Sequence, residues 1–435
     1  DELYDRTFVE TRCQGFEEYK LSILGDKYEN HDLFLEMKGY EYLAQKVRVV
    51  ARTYATKRSL ILWGLGITEH TDGSYAVSAI ANLAMLTGNI GKEGAGLMPL
   101  RGQNNVQGTC DVGCLPYYNP NYQKPLEEGL KTPELIDAIL EDKVKVVYNI
   151  GEDITHIHAN RNKVDRAFKK LDMVVVQELF MTDIAQKADI VFGVKSSYEK
   201  YGVYVNAERR MHLSRPLVEN DLPDDWEVLQ AVSHRLGSEW SYHTTQEVWD
   251  ETRGEVGRYK GASYPLLDEK GSAGLQWPVD ETDTPILHTE SFRTKDGLGH
   301  FRYNQYSLRG MVKALLEKQK LPLTLTTGRV LIHYNNASQT SQTPKLMSSY
   351  GADVVILSRE DAQGLDPLKP IVLKSCYGVS APLILKIDST MKQGVAFASF
   401  HFAQSCMNYL FGDEGDAITK TSRFKAIEIE LFQHA

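Results

Sequence analysis

The feature that most constrains this 435-residue chain lies between positions 145 and 194. Lys145-Val146-Val147-Tyr148-Asn149-Ile150 is a short apolar run closed by a turn, Gly151-Glu152-Asp153. Ala159–Leu171 follows as a basic amphipathic helix. A second run, Met173–Gln177, leads through Thr182-Asp183 toward another short helix, and a third strand is expected over Asp189–Val194. Strand, helix, strand, helix, strand at this spacing predicts a parallel α/β sheet with right-handed crossovers. Ligands in such sheets sit at the carboxyl ends of strands. Here those ends carry Gly151-Glu152-Asp153 and Gln177-Glu178.

The rest of the chain divides around this core. Residues 1–60 are charged and helical in character. Ser59–Trp63 reads as a buried strand entering the turn Gly64-Leu65-Gly66. Asp72 is expected to cap a helix over 74–87, which Gly88-Asn89 stops. Gly91–Gly113 reads as a long glycine-rich loop, and 216–310 as irregular structure with one helix near Val228–Leu236. After Leu321 short strands over 323–326, 353–357, 370–373 and 383–387 suggest a closed barrel.

Composition excludes several classes. With 42% hydrophobic and 25% charged residues the chain is globular rather than disordered. Its 49 basic against 58 acidic residues leave a net charge of −9, which argues against a nucleic-acid partner or an anionic membrane surface. No apolar run reaches the roughly 18 residues of a membrane-spanning helix. Five scattered cysteines (Cys13, Cys110, Cys114, Cys376, Cys406) do not form a disulfide framework, and a reducing compartment is expected. The opening Asp1-Glu2-Leu3-Tyr4 has no initiator Met, so Asp1 is not expected to be the native start.

The 91–113 loop is the strongest chemical signal. Its glycines let backbone amides approach a ligand, and Arg101, Gln103, Asn104, Asn105 and Gln107 crowd it with donors. Arg101 offers a planar fork suited to a carboxylate or phosphate. A surface loop satisfied by its own backbone would share this composition. The loop is not a Walker motif, since no Gly-Lys-Ser/Thr ending occurs. Leu65-Gly66-Ile67-Thr68-Glu69-His70 sits where a strand hands over to a helix, a place where amides can hold an anion. The strand-end acids suit the N–H donors of a guanine or the hydroxyls of a ribose, although solvated acids would look alike. Cys110 and Cys114 have the wrong spacing for a metal or redox pair, and His156-Ile157-His158 is no stronger, so no metal ligand is expected in this chain. A serine-hydrolase elbow is absent. In the last third, Thr326-Thr327-Gly328-Arg329, His333-Tyr334-Asn335-Asn336, Phe400-His401-Phe402-Ala403 with Asn408, and Thr419–Lys425 are polar clusters at strand boundaries. Barrel corners explain any one of them; together they look like a surface wrapped over a large anion.

In order, these stretches resemble the molybdopterin oxidoreductase family of the dimethyl-sulfoxide-reductase type, and within it the formate dehydrogenase catalytic subunits. The resemblance is carried by Gly66–His70, Ala81–Gly91 and, above all, Leu100-Arg101-Gly102-Gln103-Asn104-Asn105-Val106-Gln107-Gly108. Gly151-Glu152-Asp153, Val176–Phe180, Asn206–Arg210, Thr327-Gly328-Arg329, His333-Tyr334, Phe400–Ala403 and Thr419–Thr421 extend it over nearly the whole chain. Two departures are Phe424, where the family often has Tyr, and Gly193-Val194, where it usually has Leu-Pro.

The resemblance implies Rossmann-like parallel-sheet domains plus a C-terminal six-stranded, double-psi type β-barrel. It implies a Mo or W bis(molybdopterin guanine dinucleotide) cofactor and two-electron chemistry on formate and carbon dioxide. Arg101 matches the arginine that holds the formate carboxylate, and Gln103 a residue contacting the pterin. Gly66 and Glu69 fall in another cofactor-contacting turn. Gly151, Asp153, Gln177 and Glu178 match one guanosine pocket, and Arg329, His333, Asn408 and Lys425 the dinucleotide domain's own contacts. The family's Cys-rich segment for a 4Fe-4S cluster, and its Cys or selenocysteine metal ligand followed by His, have no counterpart here and are expected to precede Asp1. Iron–sulfur electron-transfer subunits (hydrogenase, ferredoxin-like or NAD-linked) are the expected partners, without nucleic acid or membrane insertion. The implied division is woven: 1–103 finishing the domain that carries the metal ligand, 104–215 a second Rossmann-like domain, 216–308 returning to the cluster domain, and 309–435 the barrel. A nitrate-reductase-like member of the family and a non-catalytic scaffold relative remain the alternatives.

Overall fold

The computed structural model describes residues 2–25, 41–303 and 321–433. The expected boundary at 308/309 lies outside the described residues. The chain forms two compact units: one built from 1–68, 72–102 and the stretch beginning at Thr284, the other from 69–71, 103–283 and the carboxyl-terminal part.

In the first unit, helices α1 (Arg6–Arg12), α2 (Phe16–Leu24) and α3 (Glu41–Thr56) precede strand β1 (Leu60–Trp63). Helix α4 (Gly73–Leu86) and strand β2 (Gly96–Pro99) follow. β1 and β2 pair in parallel, Leu60 opposite Gly96 and Trp63 opposite Pro99. A small core of Val9, Tyr19, Met85 and Phe301 is ringed by Phe8, Phe16 and Phe292, with Tyr19 stacked on Phe301 at 5.1 Å. Asp72 occupies the N-cap position of α4, but its side chain makes no capping bond; its carbonyl accepts from Ala76 instead. The stop is as expected. Gly88 takes φ +59°, and a Cβ there would meet the Asp5 carboxylate at 2.5 Å, so glycine is favoured.

The second unit opens with α5 (Val106–Asp111) and α6 (Thr132–Leu140). Then come β3 (Val146–Ile150), the short α7 (Ile154–Ile157), α8 (Arg161–Phe168), β4 (Met173–Glu178) and β5 (Ile190–Gly193). The three strands lie in the order β3-β4-β5, all parallel, as their sequence spacing predicts. One face buries Val147, Val174 and Val176 against Ile136 and Ile139 of α6 and Val164 and Ala167 of α8. An antiparallel meander of β6 (Gly202–Val205), β7 (Arg210–Ser214) and β8 (Leu275–Gln276) encloses α9 (Asp225–Arg235), α10 (Thr245–Glu255) and α11 (Tyr264–Lys270) in sequence.

The last part is a curled six-stranded sheet. Its strands are β9 (Leu323–Gly328), β10 (Val354–Leu357), β11 (Ile371–Lys374), β12 (Ile384–Ile387), β13 (Val395–Ser399) and β14 (Ile427–Gln433). They lie in the order β11-β14-β9-β13-β10-β12, with β9/β13 and β10/β12 parallel and the other pairs antiparallel. The end strands meet where Ile371 and Leu383 exchange backbone hydrogen bonds of 2.9 and 2.8 Å. Leu325, Val355, Leu357, Leu373, Ala396, Ala398 and Ile429 fill the interior.

Two further expectations are corrected. The 91–113 stretch is not all loop, since it contains β2 and α5. The 216–310 stretch carries three helices rather than one. None of the five cysteines is in a disulfide, and no helix among the described residues is long and apolar enough to cross a membrane.

Candidate cofactor site

At the carboxyl ends of β3 and β4 the polar residues are tightly engaged. Gly151 adopts φ +62° with open space where a Cβ would stand, and its N–H donates to the Gln177 carbonyl at 2.9 Å. Asp153 is buried; its carboxylate accepts from the Thr155 hydroxyl at 2.9 Å and from the N–H groups of Asp183 and Ile184 at 3.1 and 3.2 Å. Gln177 is fully buried, accepting from the Tyr148 hydroxyl at 2.6 Å and donating to the Asp225 carboxylate at 3.0 Å. Glu178 accepts from the Leu179 N–H at 2.7 Å. Burial raises its pKa, and the neighbouring charges of Asp153 and Asp225 add to the rise.

In the barrel, Lys425 pairs with Glu69 at 3.2 Å, both side chains about seven-eighths buried, and also donates to the Thr327 carbonyl. Arg329 donates to the Phe400 carbonyl and lies over the Phe400 ring at 3.7 Å. Its surface is open to solvent, but protein crowds its other sides and draws the guanidinium down to about 10 against the opposing pull of Asp353 and Glu69. It stays charged at neutral pH. His333 is buried, with Nδ1 on the Thr340 hydroxyl at 2.9 Å and Nε2 on the Tyr350 carbonyl at 2.6 Å. Asn408 donates to the carbonyls of Ile157 and His158, each at 2.9 Å, and so ties the barrel to the turn after β3. Gln103 is exposed and accepts a hydrogen bond from the Tyr334 hydroxyl.

Two clefts lie where the sheet meets the barrel. One, of about 500 Å³, runs from Asp153, Thr182 and Asp183 to Asn336, Ser338 and Asp353. The other, of about 330 Å³, is bordered by Lys131, Glu152, His158, Thr419, Lys420 and Phe424. His158 gives the second a specific chemistry. Its Nδ1 is bonded to the Ala159 carbonyl at 2.6 Å, while Nε2 is buried without a partner among the described residues. Burial and the charge of Lys163 lower the His158 pKa, so Nε2 is an acceptor awaiting a donor. A guanine N–H or ribose hydroxyl would fill that role, and Lys420 and Lys131 suit phosphates. The donor set fits a purine nucleotide group. The short His-x-His spacing marked His158 only as a weak metal candidate, and its orphaned acceptor is visible only in three dimensions.

The first unit holds the other two candidates. Arg101 is exposed at the end of the segment leading from β2, and Gly66 is exposed in the short helix Leu65–Thr68. Among the described residues no group of three His, Cys, Asp or Glu is placed to hold a metal.

Strand-end clefts, a parallel α/β sheet and a six-stranded barrel define a protein that binds a nucleotide-bearing cofactor. Residues 22–235 match the molybdopterin oxidoreductase family, and residues 323–428 match the molybdopterin dinucleotide binding domain. The chain belongs to the molybdopterin oxidoreductase family. It is 33% identical to F420-dependent formate dehydrogenase 2 subunit alpha of Methanococcus maripaludis, over 98% of this chain and 65% of that protein. It is 31% identical to formate dehydrogenase H of Escherichia coli, over 99% of this chain and 63% of that protein. The chain thus spans slightly less than two thirds of these relatives. Acetylene hydratase from Pelobacter acetylenicus shares the fold with a TM-score of 0.76 at 17% identity, covering 100% of this chain and 68% of that structure.

Proposed function

We propose that this chain belongs to a formate dehydrogenase catalytic subunit that interconverts formate and carbon dioxide at a Mo or W bis(molybdopterin guanine dinucleotide) centre. The observation that carries this reading is the likeness to two formate dehydrogenases across 98–99% of the chain. Bound, the group supplies a two-electron acceptor. The chain's residues have other tasks. Arg101 grips the formate carboxylate with its fork, offsetting the charge and aiming the C–H bond. Arg329, Lys420 and Lys425 counter the phosphates within an acidic protein. His158 and Glu178 meet the guanosine, while Gly151 leaves the approach open. Asp153, Gln177, His333 and Asn408 hold the surrounding backbone in place. The 4Fe-4S cluster, the iron–sulfur partner subunits, the cytoplasmic setting and the four-part domain division belong to the same reading.

The test uses the full-length enzyme and formate-dependent dye reduction, with nitrate as the competing substrate class. Formate turnover is the expected result; a metal-loaded enzyme inert toward formate overturns the reading. Arg101→Lys keeps the charge but loses the fork, with an expected cost of about 2–4 kcal/mol in kcat/KM, roughly 30- to 1000-fold. Unchanged turnover in that variant removes Arg101 from the mechanism.

A further inference from the structure

We propose that Tyr334 is a positioning residue that locks the side-chain amide of Gln103, holding its Nε2 group outward as a fixed double donor to an acceptor atom of the bound cofactor. This rests on the cofactor-binding reading above and names how one part of that site is oriented. The Asn104 backbone N–H can only donate, and it donates to the Tyr334 hydroxyl oxygen at 3.1 Å. The phenol then gives its single proton to Gln103 Oε1. With the amide reversed, the phenol would be asked to accept twice, and its proton would find no other acceptor among the described residues. The observed orientation satisfies all three groups. It leaves Gln103 Nε2, on an exposed side chain, with two N–H groups and no acceptor among the described residues.

The turn that presents Tyr334 is itself braced. Tyr334 N–H donates to Thr340 Oγ1 at 3.3 Å, and its carbonyl accepts from Ala337 at 2.9 Å. His333 bonds the same Thr340 hydroxyl and anchors to the Tyr350 carbonyl. Both ring nitrogens of His333 are therefore used inside the protein, and the residue that reaches the 103–104 segment is its neighbour. An amide held with its oxygen tied back selects a ligand oxygen or ring nitrogen and disfavours a donor.

The test compares Tyr334→Phe, Gln103→Ala and the double variant in the full-length enzyme by two readouts. Hydrogen exchange reports on the Asn104 amide without turnover, and Tyr334→Phe is expected to speed it at least tenfold. In kcat/KM for formate, Tyr334→Phe is expected to lose several-fold, while the double variant matches Gln103→Ala, because Tyr334 acts only through that amide. Unchanged Asn104 exchange, or losses that multiply in the double variant, overturns the proposal. An enzyme inert toward formate overturns the substrate reading instead. Exchange, together with guanine retained on purification across the same three variants, then decides the role of Tyr334.

Discussion

The parallel sheet and the barrel both gather polar residues at their strand ends, and they use them differently. At the ends of β3 and β4, Asp153 and Gln177 are buried with their hydrogen-bonding groups directed into the protein. In the barrel, Arg329 is exposed to solvent, and Lys425 pairs with a single carboxylate, Glu69. Residues that match family stretches in different parts of the chain are thus tied into the protein to different degrees. What separates them is whether the protein itself uses up their donors and acceptors.

Lys425→Met is the strongest way to break this comparison. It strands the mostly buried Glu69 carboxylate and frees the Thr327 carbonyl, so stability should fall by about 3 kcal/mol in a denaturant titration of the full-length enzyme. A melt unchanged from wild type, with guanine lost on purification, would move the pair wholly to the ligand side. Asp153→Ala should cost about 2 kcal/mol, because the Asp183 and Ile184 N–H groups lose their acceptor, while the Thr155 hydroxyl keeps Asp183 within reach at 3.0 Å. Full stability with weakened guanine retention would show that Asp153 works for the nucleotide after all.

How much of this was legible in the chain depended on how local the cause was. The β3-β4-β5 core could be read directly because Val146–Ile150 and Met173–Glu178 are β-branched runs bounded by turns. Strand β2 could not, since Gly96–Pro99 becomes a strand only by pairing with the distant Leu60–Trp63. Helix α5 begins at Asn105, a usual N-cap residue type, but in the left-handed region and with its side-chain oxygen on the Val205 N–H rather than on the helix, so the start depends on a distant contact. By contrast α10 did carry one: Thr244 accepts from the Glu247 N–H at 3.2 Å, a Thr-x-x-Glu start hidden within a region read as irregular by its Pro, Gly and acidic content. In the site, the motifs pointed to the right segments but not always to the right atom. His333 stood out as an imidazole, yet Tyr334 makes the contact, and which side chain of a turn faces outward is decided by the hydrogen bonds behind it.

The smallest expected effect tests the barrel's interior against its rim. His401 is fully buried, its Nδ1 donating to the Asn335 carbonyl at 2.7 Å and its Nε2 accepting from the Val330 N–H at 2.8 Å, which fixes it as neutral. Burial lowers its pKa below the ordinary 6.5; Arg329 and His333 push the same way, and the Asn335 carbonyl and Asp353 oppose. The unfolded chain takes up this proton as pH falls through about 6.5, while the folded chain resists it. The stability is therefore complete above that pH and declines below it, by at most about 1.4 kcal/mol per pH unit for this one group, until the folded pKa is reached. His401→Gln should be less stable at pH 7.5 but show a shallower decline between pH 6.5 and 5.5 than wild type. Parallel declines would mean that the proton is taken up elsewhere and that the His401 ring is no more constrained than the residues on the rim.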